Sequence, residues 1–202
     1  MILRHAQSQW NALGRWQGQA DPYLSPEGIR QATEAAPRLA AKASFEVAFS
    51  SDLSRARETA EIFVAALGGG FLLEIVPGLR EYDVGEWSGR TRPEIESLWP
   101  GDIQRFAAGE LAAPPGGEDR GAFDTRVLTT TGRIAAGATA AGQSSLLVVA
   151  HGGVVRSLAR SAGVAEHHVG HLSGYTGRIE ADALIPEQPV DLLDVEFAGG
   201  SS

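Results

Sequence analysis

The sequence contains no cysteine among its 202 residues. A disulfide framework, a thiolate nucleophile and a cysteine-ligated zinc site are therefore excluded. No apolar run reaches the roughly 18 residues from which a membrane-spanning helix is recognised. The amino terminus becomes polar after MIL and so lacks the hydrophobic stretch of a signal peptide. We therefore predict a cytoplasmic protein.

Positive charge is also scarce. The 17 Lys and Arg residues stand against 25 Asp and Glu residues, giving a formal net charge of -8 and a pI near 5.1. Such a chain repels polyanions at long range, so we expect neither a nucleic-acid nor a membrane partner. An anionic ligand must instead be small and held by a local positive pocket. A homodimer is compatible with the sequence, which leaves the oligomeric state open.

The composition, with 43% hydrophobic and 21% charged residues, is typical of a globular chain, and the length fits one domain over residues 1–202. Ser25, Pro26 and Glu27 form a helix start, which predicts a helix from Pro26 to about Ala43. Two further helices are predicted, over residues 52–70 and 119–141. Apolar runs predict strands at the amino terminus and over residues 45–51, 71–79, 144–150, 178–185 and 190–198.

This alternation of strands and helices predicts an α/β fold, a three-layer α/β/α sandwich around a central, mostly parallel (mixed) sheet. Residues 82–118 are richer in Gly, Pro, aromatic and charged residues than the rest. We interpret them as a short covering segment laid over the sheet edge, and we keep that name for them below.

Basic side chains follow three of the predicted strands directly. Arg4 and His5 come after the first, Arg55 after the second and His151 after the buried run LLVVA. Because ligands bind at the carboxyl ends of strands in open α/β sheets, these side chains are expected to converge. Guanidinium groups grip phosphate oxygens, and an imidazole can act as a nucleophile. Gly152 adds an exposed backbone amide at a helix start, so the sequence predicts a phosphate site.

Four sequence blocks occur in an order and at spacings that are familiar together. They are LRHAQSQWN at 3–11, SSDLSRARET at 50–59, LREYDVGEWSG at 79–89 and VVAHGGVVR at 148–156. With these blocks the sequence resembles the histidine phosphatases, the superfamily that includes the phosphoglycerate mutases. The resemblance implies a phosphoglycerate mutase-like fold.

The resemblance also implies residue roles. His5 is the nucleophile that accepts the phosphoryl group, and Glu81 protonates the leaving alcohol and later activates water. The implied phosphate- or substrate-binding residues are Arg4, Asn11, Gln17, Gly18, Arg55, His151 and Gly152, of which Arg4, Arg55 and His151 are also counted as catalytic. No metal and no other cofactor is needed by this scheme.

Two features depart from the family pattern. Ala6 stands where the family usually has glycine, so we expect it to adopt a backbone conformation that glycine usually supplies. The covering segment is also shorter than in mutases. We therefore expect a metal-independent phosphomonoester hydrolase acting on a small phosphorylated metabolite. A phosphoglycerate mutase and a non-catalytic phosphate-ligand binding protein are the alternatives.

Other side chains have plainer interpretations. His167 and His171 have the spacing of a metal pair but no third ligand nearby, so we expect an exposed helix there and no metal. Glu118 either hydrogen-bonds near the site or caps the next helix. The aromatic residues of the covering segment either contact substrate or pack against the body of the domain; they are Trp87, Trp99 and Phe106.

Overall fold

The computed structural model describes residues 1–165 and 168–194, which form a six-stranded sheet with helices on both faces. The strands are β1 (Ile2–Arg4), β2 (Val47–Ser50), β3 (Leu72–Ile75), β4 (Leu146–Ala150), β5 (Ser173–Glu180) and β6 (Ala183–Asp191). Their order in the sheet is β3-β2-β4-β1-β5-β6. The first four in this order are parallel, whereas β5 and β6 run antiparallel to their neighbours. The predicted α/β fold with a mostly parallel, mixed sheet is confirmed.

Seven α-helices are described. They are α1 (Gln9–Ala12), α2 (Pro26–Lys42), α3 (Ser54–Ala66), α4 (Arg92–Leu98), α5 (Asp102–Ala108), α6 (Arg120–Ala140) and α7 (Gly152–Ser161). Short 3-10 turns lie at Pro77–Leu79 and Gly85–Trp87. Ser25 caps α2 by accepting a hydrogen bond from the Gly28 amide, and Asp119 caps α6 in the same way. No helix within the described ranges is both long and apolar enough to cross a membrane.

The helices divide between the two faces of the sheet because strand residues point alternately up and down. Leu3 and Val149 pack on one side with Leu39 of α2 and Phe63 of α3. On the other side, Ile2 and Val148 share a core with α6 and α7, including Val127, Ile134 and Leu158. The result is the three layers that the sequence predicts.

The prediction of one strand over residues 178–185 is wrong. A turn at Ala181 and Asp182, whose φ angles are +47° and +58°, ends β5 and begins β6, so this stretch is the tip of a hairpin. Neither residue is a glycine, which is why the turn carries no strong signal in the sequence. Of the strand predicted over 190–198, Val190 and Asp191 end β6, and residues 195–198 lie outside the described residues.

Parallel pairing determines where the site forms. Arg4 is in register with Ala150, and Ser50 with Val149, so the carboxyl ends of β1, β2 and β4 lie side by side. The residues that follow these ends therefore meet at one edge of the sheet. The covering segment, with α4 and α5, packs beside that edge.

Candidate active site

His5 follows β1 and is almost completely buried. Its Nδ1 lies 2.6 Å from the Ala6 carbonyl oxygen, and its Nε2 lies 3.2 Å from Nε of Arg55. The guanidinium can only donate, so Nε2 accepts and Nδ1–H donates to the carbonyl. Burial, together with the positive charges of Arg55, His151 and Arg4, holds the pKa of His5 well below its usual range. The imidazole is therefore neutral, with its Nε2 lone pair directed toward the arginine.

Arg55 lies in the first turn of α3 and is fully buried. Besides the contact with His5, it donates to the carbonyl oxygens of Gly18 and Ala20, each at 2.8 Å. Burial lowers the pKa of Arg55 to about 10, against the opposing effects of Glu81 and Asp21, so the side chain is still charged at neutral pH. A cation is thus fixed beside His5 by backbone contacts.

Arg4 and His151 complete what we call the basic cluster (Arg4, His5, Arg55 and His151). Arg4 donates to the Val169 carbonyl oxygen at 2.9 Å, and the ring centroids of His5 and His151 are 5.2 Å apart. His151 is fully buried, and neither ring nitrogen has a hydrogen-bond partner within the described chain. Its pKa is well below the usual range because of burial and the nearby arginines. Buried polar atoms without partners in a native fold call for an explanation, and a ligand is one.

Glu81 reaches the same region from the start of the covering segment. Its two carboxylate oxygens accept hydrogen bonds from the amides of Tyr82 (2.9 Å) and Gly153 (3.0 Å). A Cβ atom at Gly153 would lie 2.1 Å from Glu81 Oε1, so only glycine leaves room for this contact. Sequence reasoning missed Gly153, because its lack of a side chain matters only once the position of Glu81 is known.

Arg126 and Glu118 hold the backbone that carries Glu81. Arg126 pairs with Glu118 at 2.8 Å and donates to the carbonyl oxygens of Gly78 and Arg80 at 3.0 and 2.9 Å. Glu118 therefore hydrogen-bonds near the site, one of the two predicted possibilities, while its neighbour Asp119 caps α6. Arg126 gave no signal in the sequence, because it looks like an ordinary charged residue of a helix.

The remaining predicted site residues lie around the same cavity. Asn11 accepts from Ser8 through Oδ1, and Gln17 accepts from the Ser8 hydroxyl at 2.6 Å. Gly18 has a φ of +52°, and a Cβ there would lie 2.7 Å from the Val84 side chain. Gly152 is the first residue of α7, so its amide has no acceptor inside the helix. The structure thus brings every predicted site residue to one place.

The cavity has a volume of about 870 Å³, well beyond the size of a phosphate group. Arg4, His5, Arg55 and Glu81 line one part of it. The rest of its lining includes side chains from the covering segment, from α6 and α7 and from the loop after α1, which we call the outer wall. The outer-wall side chains named below are among Arg15, Arg92, Phe106, Arg120, Arg156 and Arg160. The cavity therefore joins a buried, cationic end to a larger and partly apolar space.

Two expectations need correction. Ala6 is buried but is not among the residues with positive φ, so its conformation does not require glycine. The exposed helix expected around His167 and His171 is not found over the described residues 168–172, which form loop and turn. His171 instead lies with its ring centroid 6.4 Å from that of His5, and burial lowers its pKa to about 4. His167 lies outside the described residues, and no metal-binding group of side chains is found among the described ones.

The aromatic residues of the covering segment divide between the two interpretations. Trp87 is fully buried and packs edge-on against Trp16, with ring centroids 5.2 Å apart. Trp99 packs against the same core, whereas Phe106 lines the cavity. Of the three, Phe106 is therefore the one placed to contact a ligand.

A comparison with protein families shows to which superfamily the chain belongs. Residues 1–177 match the model of the histidine phosphatase superfamily (branch 1). The chain belongs to this superfamily. The four sequence blocks that suggest the resemblance all lie within the matched residues.

Relatives of this histidine phosphatase superfamily member include proteins named as phosphatases and proteins named as phosphoglycerate mutases. A glucosyl-3-phosphoglycerate phosphatase of Mycolicibacterium vanbaalenii is 37% identical over 164 residues, covering 78% of this chain and 71% of the relative. A 2,3-bisphosphoglycerate-dependent phosphoglycerate mutase of Methylobacterium sp. (strain 4-46) is 32% identical over 199 residues, covering 94% and 95%. The solved structure of a phosphoglycerate mutase from Bacillus anthracis str. Sterne superimposes with a TM-score of 0.81 at 25% identity, covering 92% of this chain and 89% of the other.

The match to the Methylobacterium relative bears on the covering segment. Because the alignment covers nearly all of both chains, a protein named as a mutase has a similar overall length. The short covering segment therefore does not separate a phosphatase from a mutase.

Proposed function

We propose that this protein is a metal-independent phosphomonoester hydrolase that acts through a phosphohistidine at His5. The observation that carries the proposal is the neutral His5 imidazole, whose Nε2 accepts a hydrogen bond from the buried Arg55 at one end of a roomy cavity. Phosphoryl transfer requires little covalent work from the protein beyond a positioned nucleophile and electrostatic stabilisation. The substrate is a small phosphorylated metabolite.

In the first step, Nε2 of His5 attacks phosphorus and the bond from phosphorus to the ester oxygen breaks. The proton on Nδ1 stays on the ring, where the Ala6 carbonyl accepts its hydrogen bond and stabilises the phosphorylated imidazole. Glu81 gives a proton to the departing alkoxide, which leaves as an alcohol. The two backbone amides that bind Glu81 fix the direction from which this proton comes.

The negative charge of the transferring phosphoryl group is stabilised by the rest of the basic cluster. Arg4 and Arg55 supply fixed cations, and Asn11 and the Gly152 amide supply donors at the same end of the cavity. A phosphoryl oxygen next to His151 would also give its unpartnered ring a hydrogen-bond acceptor. These groups are held by the fold before substrate arrives, so little reorganisation accompanies the reaction.

In the second step, water attacks phosphorus and the bond to Nε2 breaks. Glu81, now a carboxylate, takes the proton from water, and inorganic phosphate leaves. The size of the cavity, about 870 Å³, favours access of water once the alcohol has departed.

Phosphoglycerate mutase activity is the second candidate, and the names of full-length relatives support it. The same phosphohistidine would then pass its phosphoryl group to an alcohol instead of water. The non-catalytic alternative has less support, because ligand binding alone needs neither a neutral nucleophile nor a positioned carboxylic acid.

The test is phosphate release from a panel of phosphomonoesters, with chelator present, by the wild type and by His5→Ala. We expect release by the wild type only, together with acid-labile phosphate bound to the wild type after rapid quenching. Thermal unfolding of both proteins checks that the variant is folded. Release that survives in folded His5→Ala would contradict the proposal.

A second measurement separates the two enzymes. Wild type incubated with 3-phosphoglycerate is analysed for inorganic phosphate and for 2-phosphoglycerate. Mainly phosphate supports the hydrolase, whereas isomerisation primed by 2,3-bisphosphoglycerate without phosphate release supports the mutase. Binding without either product supports a binding protein.

A further inference from the structure

We propose that His171 is a further residue of the phosphate site, where its Nε2 atom hydrogen-bonds to the phosphoryl group from the side of Arg4. Sequence analysis assigned His171 to an exposed helix and to no part of the site. The inference rests on the proposed function, since it concerns the phosphoryl group that the proposed reaction transfers. Its basis is the place of His171 in the fold and a buried nitrogen without a partner.

The sheet brings His171 to the edge where His5 and His151 lie. β1 and β4 are parallel, so the residues that follow them meet at their carboxyl ends. β5 is paired with β1 on the other side and runs antiparallel to it, so the amino end of β5 lies at this same edge. The loop before β5 (residues 168–172) is therefore beside His5, on the side away from β4. Three adjacent strands thus place His151, His5 and His171 in this order along the edge.

Two hydrogen bonds fix the loop before β5 to Arg4. NH1 of Arg4 donates to the Val169 carbonyl oxygen at 2.9 Å, and the Leu172 amide donates to the Arg4 carbonyl oxygen at 3.1 Å. One of these bonds comes before His171 in the loop, and the other comes directly after it. His171 is therefore held against the residue that immediately precedes the nucleophile His5.

The backbone next to His171 has an unfavourable conformation. Leu172 has a φ angle of +54°, in the left-handed region that a residue with a bulky side chain rarely adopts. Its side chain is fully buried, and its carbonyl oxygen accepts a hydrogen bond from the Leu192 amide at 3.1 Å. Such conformations persist only where the surrounding structure fixes them, and they are concentrated at functional sites. The turn that carries His171 is thus held in place at a cost in free energy.

One nitrogen of the His171 ring is buried and has no partner. Nε2 has no hydrogen bond within the described chain, as is also true of both ring nitrogens of His151. The ring centroid lies 6.4 Å from that of His5, too far for a direct hydrogen bond between the two rings. A phosphoryl group on His5 extends beyond that ring and brings oxygen atoms toward both neighbouring histidines. It would supply the partner that Nε2 of His171 lacks.

The charges around His171 favour an anionic partner. Burial, followed by the charges of Arg4 and His168, lowers the pKa of His171 to about 4, and the adjacent His5 is itself neutral. The described charges that shift this pKa are all positive, with no carboxylate among them. An anion beside the ring would oppose the effect of Arg4 and raise the pKa of His171. Binding of phosphate and protonation of His171 should therefore strengthen each other.

NMR signals of the histidine rings test the contact in the wild type. Inorganic phosphate is titrated into the protein, and single histidine-to-glutamine variants assign the signals. The signals of His171 should shift over the same phosphate concentrations as those of His5. With saturating phosphate, the pKa of His171 should rise from about 4 to above about 5, as for an opposite charge within a few ångströms. His168, exposed and three positions earlier, is the internal control, and its signals should change little.

The matched variants are His171→Leu and His168→Leu, which remove an imidazole at two positions of the same loop. Calorimetric titration should show that inorganic phosphate binds His171→Leu about tenfold more weakly than the wild type, as for the loss of one hydrogen bond to a charged group. Binding to His168→Leu should change by less than about twofold, because its side chain is exposed. His171→Gln keeps an N–H donor and should recover part of the loss. Thermal unfolding checks that each variant is folded.

Phosphate binding to His171→Leu that equals binding to the wild type would overturn the inference. So would a His171 signal that stays unchanged while the signals of His5 shift with phosphate, and this second result does not depend on any variant. In both cases the proposed hydrolysis is unaffected, because phosphate release through His5 is measured separately. If His171 responds to phosphate but the wild type releases none from any ester, the role of His171 in binding stands and the proposed hydrolysis fails.

Discussion

The two ends of the cavity are built in different ways. In the basic cluster, His5, Arg55 and His151 are buried at the ends of parallel strands, and backbone carbonyls hold the first two. On the outer wall, the side chains come from the loop after α1, the covering segment, the first turn of α6 and one face of α7, and Arg92 and Arg156 are exposed. The residues that act on the phosphoryl group are thus held by the rigid sheet. The residues that can select among substrates lie on the outer wall, where a side chain can be replaced without moving the basic cluster.

Replacing an arginine by lysine at each end of the cavity should give the largest difference in kcat/KM between the basic cluster and the outer wall. Arg55→Lys keeps the charge but cannot donate to His5, Gly18 and Ala20 together, so we expect kcat/KM to fall by about 10³-fold, the upper range for loss of one transition-state donor. Arg15→Lys on the outer wall is the matched control, since that side chain is partly exposed, and it should change kcat/KM by about threefold or less. Similar losses in the two variants would show that the contrast is wrong.

The same contrast predicts a dependence of stability on pH. His5 and His151 are neutral in the fold, because their pKa values are held well below the unfolded value of about 6.5. As pH falls below about 6.5, the unfolded chain takes up protons that the folded chain does not, so stability is full above this pH and is lost below it. His171, whose pKa burial lowers to about 4, contributes in the same direction. If all three rings stay neutral in the fold, the free energy of unfolding drops by up to about 6 kcal/mol between pH 7 and pH 5.

Urea unfolding across this pH range measures the effect. His151→Gln should lose about a third of the pH dependence, because one of the three imidazoles with a lowered pKa is gone. A wild-type stability that is flat from pH 7 to pH 5 would mean that the imidazoles are protonated in the fold. They would then be poor nucleophiles.

Glu81 lies where the two ends meet, and its replacement tests the role of proton donor. Glu81→Gln should lower kcat by about 10²-fold for alkyl phosphates, whose alcohols need a proton to leave. The loss should be much smaller for 4-nitrophenyl phosphate, because nitrophenolate departs unaided. An equal loss for both substrates would assign Glu81 to binding or orientation instead. Thermal unfolding checks that the variant keeps its fold.

The sequence predicts the basic cluster better than the contacts that surround it. The basic cluster could be anticipated because its residues lie at the ends of strands or at the start of the next helix, and parallel strands bring their carboxyl ends together. The alternation of predicted strands and helices likewise predicts the three layers of the α/β/α sandwich. Both inferences depend on local patterns and on one general rule of topology.

The supporting contacts could not be predicted, because they join residues far apart in the chain. Gly153 and Glu81 are 72 positions apart, and nothing in the local pattern indicates that one needs the space beside the other. Arg126 looks like a solvent-facing helix residue until its three carbonyl partners are known.

Gly153→Ala isolates one of these contacts and gives the smallest effect expected here. The new methyl group would lie 2.1 Å from Glu81 Oε1, so the carboxylate must move while the basic cluster keeps its place. We expect kcat for alkyl phosphates to fall by about tenfold, with little change for 4-nitrophenyl phosphate. Gly137→Ala is the control, because Gly137 lies on the exposed side of α6 and a methyl group there would have nothing within 4 Å, so alanine should raise stability slightly. Gly153→Ala could instead lower kcat equally for alkyl phosphates and for 4-nitrophenyl phosphate. That result would mean that the Gly153 amide acts on the transferring phosphoryl group itself, and Gly153 would then belong with the basic cluster.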